Sequence, residues 1–460
     1  MSASIAAFIF VSFALWLFAK DAKEAKRTSP ALWIPILWAF IIGTKSVSLW
    51  LGMSASYGNV TYVEDMLIDK VLFLFLVLAA AVVLARRKIK WGPTLADNSW
   101  LFAFFFYLCL SIAWSDEPMS SFKRWFKDFG NVLMVLVILS EEDPIRSVRT
   151  FFARCAFIFI PLGVLMVKYY TSASMQYSRY SGETLFVGFS TNKNIFGMTM
   201  CVCSLGLFWL WLEAREPEVR KKDKTAWLRY SALLVMTLWL ERKAQSSTAI
   251  ACTGLGCCVM AGMTVPAIRK KMKHLGAFAG GAVATVVVLQ VTGLWDALTS
   301  MIAGALGRDP TFHGRTEIWA ALLKQDINPV LGTGYYSFWS AERMRNISEG
   351  YHYQLNEAHN GYLETYLNSG VIGVFLLLAM LVAAAKRMKK EMVKGSSYGA
   401  LRFSFLLSAI FYGLSEAVFN RLSMVWFVLL LALMTPPKLR GRKKLLENLA
   451  EPMAAFRPAV

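Results

Sequence analysis

Long apolar blocks recur from one end of this 460-residue chain to the other, separated by short polar or basic interruptions. Wound as a helix rising 1.5 Å per residue, a block of about 20 residues crosses the roughly 30 Å hydrocarbon layer of a bilayer. Backbone groups in lipid can bond only to one another, so the chain reads as all-α and polytopic. The pattern predicts about twelve to thirteen transmembrane helices, near residues 3–19, 31–51, 66–85, 99–114, 125–140, 151–168, 195–212, 226–240, 247–265, 275–295, 361–385, 401–417 and 422–436. One interruption is far longer than the rest. Residues 296–360 form a polar loop with three of the four histidines, and Pro310 to Asp326 within it reads as a short amphipathic helix lying on the outer surface, with Ile318, Ala321 and Leu322 on its apolar side. The chain thus divides into spans over 1–295, the large loop 296–360, C-terminal spans over 361–436 and a basic tail 437–460.

Composition sharpens this picture. With 56% hydrophobic and 17% charged residues and a mean hydropathy of +0.46, the chain is not that of an ordinary soluble domain. Loops at 20–27, 86–90, 141–150, 213–225, 266–274, 386–400 and 437–444 carry 29 Lys and Arg, against 13 in the alternating set at 52–65, 115–127, 169–194, 241–246, 296–360 and 418–421. The positive-inside rule puts the first set in the cytoplasm and the large loop outside, with an uncleaved first span whose N-terminus is also outside. The net charge of +19 is then a topology signal with some attraction to anionic membrane lipids, and no nucleic acid partner is expected. All seven cysteines fall within apolar blocks, where packing rather than disulfide formation is their expected role.

Candidate chemistry lies in the outward loops. Tyr177 to Gly182 brings Arg179, and the turn Gly188 to Gly197 brings Lys193 to a helix N-terminus; together these read either as an anion site or as an ordinary basic turn at the bilayer surface. In Glu241 to Thr248, Arg242 and Lys243 either face phosphate or snorkel to lipid heads. In the large loop, Asn328-Pro329 with Gly332 and Gly334 forces a turn, and His359 stands where the chain re-enters the membrane. His313, His352 and His359 lack the tight spacing of a zinc site, so neither a metal nor another cofactor is expected.

The order of these segments resembles the O-antigen ligase and exopolysaccharide polymerase superfamily. The resemblance runs from Trp114-Ser115-Asp116-Glu117-Pro118, with Ser121 and Arg124, through Arg179 to Gly182 and Asn192-Lys193-Asn194. It continues in Gly314-Arg315, Asn328-Pro329-Val330-Leu331-Gly332-Thr333-Gly334 and His359-Asn360-Gly361-Tyr362-Leu363-Glu364 to Gly370, covering residues 110–435. It implies a polytopic enzyme of the bacterial inner membrane that takes a glycan from undecaprenyl diphosphate at the periplasmic face by metal-independent, inverting transfer. Carried onto this chain, the resemblance makes His359 the residue that acts on the acceptor, with Arg179 and Arg315 in the arginine-bearing segments. The departure is at Gln245-Ser246-Ser247-Thr248, where a basic residue is common and Ser247 stands; Arg242 or Lys243 is the substitute cation.

Donor-diphosphate binding is therefore expected at Arg179, Arg315, Arg242 and Lys193, and the expected partners are a lipid-linked glycan donor, a glycan or lipid-linked acceptor, and export or chain-length proteins. A polymerase is the leading expectation, a ligase acting on a lipid A core the alternative. A transporter or flippase without chemistry is the rival of another class; it predicts charges in mid-span and two related halves, whereas here charges cluster at span ends and no halves repeat.

Overall fold

A computed structural model describes residues 2–25, 28–53, 66–177, 182, 184–274, 315–348 and 355–439. The longer helices are α1 (Ala3–Ala25), α2 (Trp33–Gly43), α3 (Leu67–Arg86), α4 (Ser99–Leu110), α5 (Pro118–Leu139), α6 (Pro144–Tyr169), α7 (Lys193–Ala214), α8 (Ala226–Ala244) and α9 (Ser247–Thr264). After them come α10 (Arg315–Leu323), α11 (Ala341–Ser348), α12 (Gly361–Val393), α13 (Ser397–Ser415) and α14 (Met424–Leu433). The only strands among the described residues are β1 (Met175–Tyr177) and β2 (Thr184–Phe186), an antiparallel pair beside the Lys193 turn.

The protein is a multi-pass membrane protein. Among the described residues, six helices are long and apolar enough to cross a bilayer: Ala3–Asp21, Leu67–Arg86, Pro144–Tyr169, Lys193–Ala214, Ser247–Thr264 and Gly361–Val393. A seventh is counted if Trp91–Asp97 and Ser99–Trp114, bent by 90°, form one broken span. Twelve to thirteen spans are not shown. The stretches expected to span at 31–51 and 422–436 contain the shorter apolar helices Pro30–Gly43 and Met424–Leu433, and residues 275–295 lie outside the described set.

Two buried carboxylates depart from the expectation that charges cluster at span ends. Glu241, expected in an outward loop, lies inside α8, which continues to Ala244. There it is 2% exposed and accepts from Ser204 Oγ (2.8 Å) and Thr253 Oγ1 (2.9 Å) of two neighbouring helices. Asp128 of α5 is likewise buried and accepts from Asn131, Trp426 and Tyr335. Hydrogen bonds from several elements offset the cost of burying such groups.

Helices α7, α9, α12 and α13 carry the chain between two polar ends of the molecule. At one end, Thr248 meets Ser415 and Asn194 meets Glu416; at the other, Ser397 meets Glu213. With 22 residues in α7, these ends stand roughly 30 Å apart.

The glycines of the large loop explain how it docks. The Asn328 side chain accepts from the amides of Val330 and Leu331, making the expected turn. The next residues then pair with α12: Thr333 N–H donates to Leu367 O at 3.1 Å, Gly334 N–H to Asn368 O at 3.0 Å, and Val371 N–H to Pro329 O at 3.0 Å. Helix α12 can accept the loop because it breaks at Gly370, whose φ of +60° favours glycine. A Cβ at Gly370 would stand 2.1 Å from Val330 O, and one at Gly334 2.5 Å from Ser115 Cα. The Trp114 to Pro118, Asn328 to Gly334 and Tyr366 to Gly370 segments are therefore locked together backbone to backbone. Helix α10 departs from the expectation of a surface helix: Ile318 and Leu322 are buried against Phe338, Trp339, Leu355, Ala358 and Leu367, giving the loop a small core of its own.

Candidate functional site

His359 lies between this small core and the first turn of α12. Its neighbours are pinned: Ala358 N–H donates to Glu364 Oε2 at 3.0 Å, Ala358 O accepts from Trp319 Nε1 at 2.8 Å, and Asn360 caps α12 by accepting from the amides of Tyr362 and Leu363. Held from both sides, His359 adopts a left-handed backbone with φ +47°, a conformation that an L-residue keeps only where its surroundings over-determine it.

The imidazole Nδ1 stands 3.1 Å from Glu357 Oε1 and 3.5 Å from Glu416 Oε2, and a third of the side chain stays exposed. Glu416 follows α13, far away in sequence, and its other oxygen accepts from Asn194 Nδ2 at 2.9 Å. This contact brings the Asn192-Lys193-Asn194 turn to the histidine, joining two segments that sequence reading named separately. Behind Glu357 sits Arg421, whose Nη1 donates to Glu357 Oε2 at 2.6 Å and whose Nη2 lies 3.4 Å from Glu364 Oε1. Burial works against the Arg421 charge, but Tyr336, Glu357 and Glu364 outweigh it and hold the guanidinium further above its already high range. Trp339 Nε1 donates to Glu364 Oε1 at 2.7 Å, tying the small core into the same network.

Of the expected diphosphate ligands, Lys193 opens α7 directly after its N-cap Asn192, one residue from the Glu416 contact. Arg242 is in the last turn of α8 and is exposed, and Lys243 lies over the rings of Phe186 (5.1 Å) and Trp239 (5.9 Å). Arg315 opens α10, but its side chain lies outside the described residues, as do Arg179, His313 and His352 altogether. Glu416 and Arg421 were overlooked as site residues. Their signal in the sequence is slight: a short charged break between the apolar stretches 401–417 and 422–436.

Glu357, His359 and Glu416 offer three ligand atoms within 4.8 Å of one another, a grouping that could hold a metal ion. One nitrogen and two carboxylate oxygens suit a borderline divalent ion such as zinc or manganese. Against this, Arg421 already engages the second oxygen of Glu357, and Asn194 that of Glu416.

Comparison with known proteins puts this geometry in context. A family model described as O-antigen ligase matches residues 221–378. Part of the chain is therefore similar to that family. That region includes Arg242, Arg315 and His359; Arg179 and Lys193 precede it, and Glu416 and Arg421 follow it. Exopolysaccharide production protein ExoQ of Rhizobium meliloti (strain 1021) is 26% identical over 307 residues, 63% of this chain and 65% of that protein's own length. The chain is thus similar to the O-antigen ligase family and to an exopolysaccharide production protein, as the order of its motifs implied.

Proposed function

We propose that this protein is a metal-independent, inverting glycosyltransferase of the bacterial inner membrane. It polymerises a lipid-linked glycan at the periplasmic face, taking the growing chain from undecaprenyl diphosphate. The observation that carries this reading is the His359 imidazole set against two carboxylates, at the end of the bundle opposite the basic loops. With Nδ1–H donating to Glu357 or Glu416, Nε2 is the basic nitrogen. The acceptor hydroxyl gives its proton to His359 as its oxygen attacks the anomeric carbon. The bond to the diphosphate breaks on the opposite face, the lipid diphosphate leaves with the electron pair, and the anomer inverts. Cations from Arg179, Arg315, Arg242 and Lys193 meet the charge that grows on the diphosphate. Arg421, committed to Glu357 and Glu364, serves instead to position Glu357 beside the imidazole. Similarity to an exopolysaccharide production protein favours polymerisation over transfer to a lipid A core.

The test is His359→Ala in the native cells. Product should vanish and unused lipid-linked glycan accumulate, with the amount of inserted protein unchanged. Normal product from that variant would overturn the reading.

A further inference from the structure

Beside the His359 network lies a small pocket lined by Tyr335, Tyr336, Glu364, Asn368, Asn420 and Arg421, among others. Two polar atoms of its lining residues are buried and without a hydrogen-bond partner: Asn420 Oδ1, an acceptor, and Arg421 Nε, a donor. Asn420 is only 9% exposed. It also holds a left-handed φ of +58°, while its backbone carbonyl accepts from Tyr335 Oη at 3.3 Å. Leaving a buried polar group unpaired is costly, so a folded protein keeps such a pair where something else completes it. The free room, about 10 Å³, is on the scale of one water-sized group and excludes a sugar ring.

We propose that this notch reads a single hydroxyl of the glycan substrate. The proposal rests on the glycosyltransferase reading and adds a specificity-determining residue to it. A hydroxyl has one hydrogen to give and lone pairs to receive, which matches one unpaired acceptor and one unpaired donor on consecutive residues of one pocket. Its O–H donates to Asn420 Oδ1, and its oxygen accepts from Arg421 Nε–H. Arg421 Nη1 reaches Glu357, and Glu357 reaches His359, so the notch is two contacts from the imidazole. On this proposal the glycan that presents one hydroxyl to His359 places another in the notch. A sugar lacking that hydroxyl leaves both protein atoms unpaired, which is how a hydrogen-bonding site rejects a deoxy analogue far more strongly than an apolar pocket rejects a missing methylene.

The experiment uses the full-length protein in lipid nanodiscs, with two readouts. The first is the shift in unfolding midpoint caused by a panel of methyl hexopyranosides and their monodeoxy analogues. The second is turnover of lipid-linked glycan extracted from His359→Ala cells. Asn420→Gly removes the amide and keeps the left-handed backbone, and Asn420→Asp restores an acceptor oxygen. The wild type should be stabilised by a parent glycoside and not by the analogue missing one particular hydroxyl. Asn420→Gly should lose that discrimination and Asn420→Asp retain it. In turnover, Asn420→Gly should raise KM on the order of 10- to 100-fold, the loss falling on KM more than on kcat, as expected for a hydrogen bond made in the ground state. A purely structural Asn420 would lower the unfolding midpoint and leave KM in place, which overturns the proposal. Equal effects of parent and deoxy sugars on the wild type also overturn it, leaving a space for water only. If the wild type converts no lipid-linked glycan yet still discriminates among the sugars, the glycosyltransferase reading falls and the notch stands.

Discussion

The two polar ends of the bundle handle charge differently. At the basic end, buried or half-buried ions are matched nearly one to one: Arg149 with Glu213, Arg154 with Asp21, Arg402 with Glu391, and Arg87 with Glu141. Backbone carbonyls and hydroxyls complete these pairs, as when Arg402 Nε donates to Ala432 O at 2.6 Å and Ser397 Oγ to Glu213 Oε1 at 2.9 Å. At the other end, Glu357, Glu364 and Glu416 gather around one guanidinium and one imidazole. A matched pair holds elements in register; on the proposed reading, the surplus of carboxylates around the histidine serves to move a proton. The comparison predicts that substitutions at the basic end change stability without changing turnover per folded molecule, and that substitutions around His359 change turnover per folded molecule whether or not they also change stability.

The largest effect on folding should come from the joint that carries the site. Gly370→Ala places a Cβ against Val330 O and forces a left-handed backbone on alanine. It should cost roughly 3 kcal/mol or more and remove most folded protein, as read by fluorescence-detected size exclusion. Gly182→Ala is the control: its φ of +67° also lies in the range that favours glycine, but a Cβ there meets nothing within 4 Å. It should therefore lose only about 1 kcal/mol.

Arg421→Ala comes next. It strips Glu357 and Glu364 of their shared partner and should destabilise by about 3 kcal/mol, because a carboxylate left behind in a buried site is uncompensated. Glu357 also loses its anchor, so activity per folded molecule should fall as well, and the comparison breaks if it does not. Arg179→Lys and Arg315→Lys should separate the two properties. Each keeps its charge and loses the planar fork, so turnover should drop strongly while unfolding midpoints stay within a few degrees. Normal turnover in both would move the diphosphate elsewhere. The smallest effect is expected at the basic end, where Glu213→Gln weakens the contact with the part-exposed Arg149 by on the order of 1 kcal/mol and leaves turnover per folded molecule unchanged.

Sequence alone made the helical class and the membrane setting legible, because each rests on local pattern. The Asn328 turn was equally legible, since asparagine and proline act on their own backbone. The partners of His359 were not. Glu416 stands 57 residues away and reaches the histidine only because α12 and α13 form a hairpin, and no spacing rule encodes that return. Glu241 was misplaced for a related reason. A charged residue near the end of an apolar block looks like a turn, but α8 continues past it and caps at Gln245 with φ +52°. Its burial depends on hydroxyls of Ser204 and Thr253, which are silent until the helices pack.

Topology bears on which end faces which compartment. In a background without native cysteines, a single cysteine at Ser348 should react with an impermeant thiol reagent in intact cells, and one at the exposed Lys394 should not. Lys394 is a cleaner site than Ser397, whose hydroxyl is engaged with Glu213 and Trp209. The reverse labelling would place His359 in the cytoplasm and remove the periplasmic reaction.

The central claim, that His359 and its carboxylates move the proton without a metal, is tested most directly by turnover of extracted lipid-linked glycan by purified protein, with and without EDTA. The wild type should keep its rate in EDTA, and His359→Ala should be slower by on the order of 10² to 10⁴ under both conditions. A His359→Ala rate near that of the wild type would contradict the account. So would activity abolished by EDTA and restored by a divalent ion, which would make Glu357, His359 and Glu416 a metal centre.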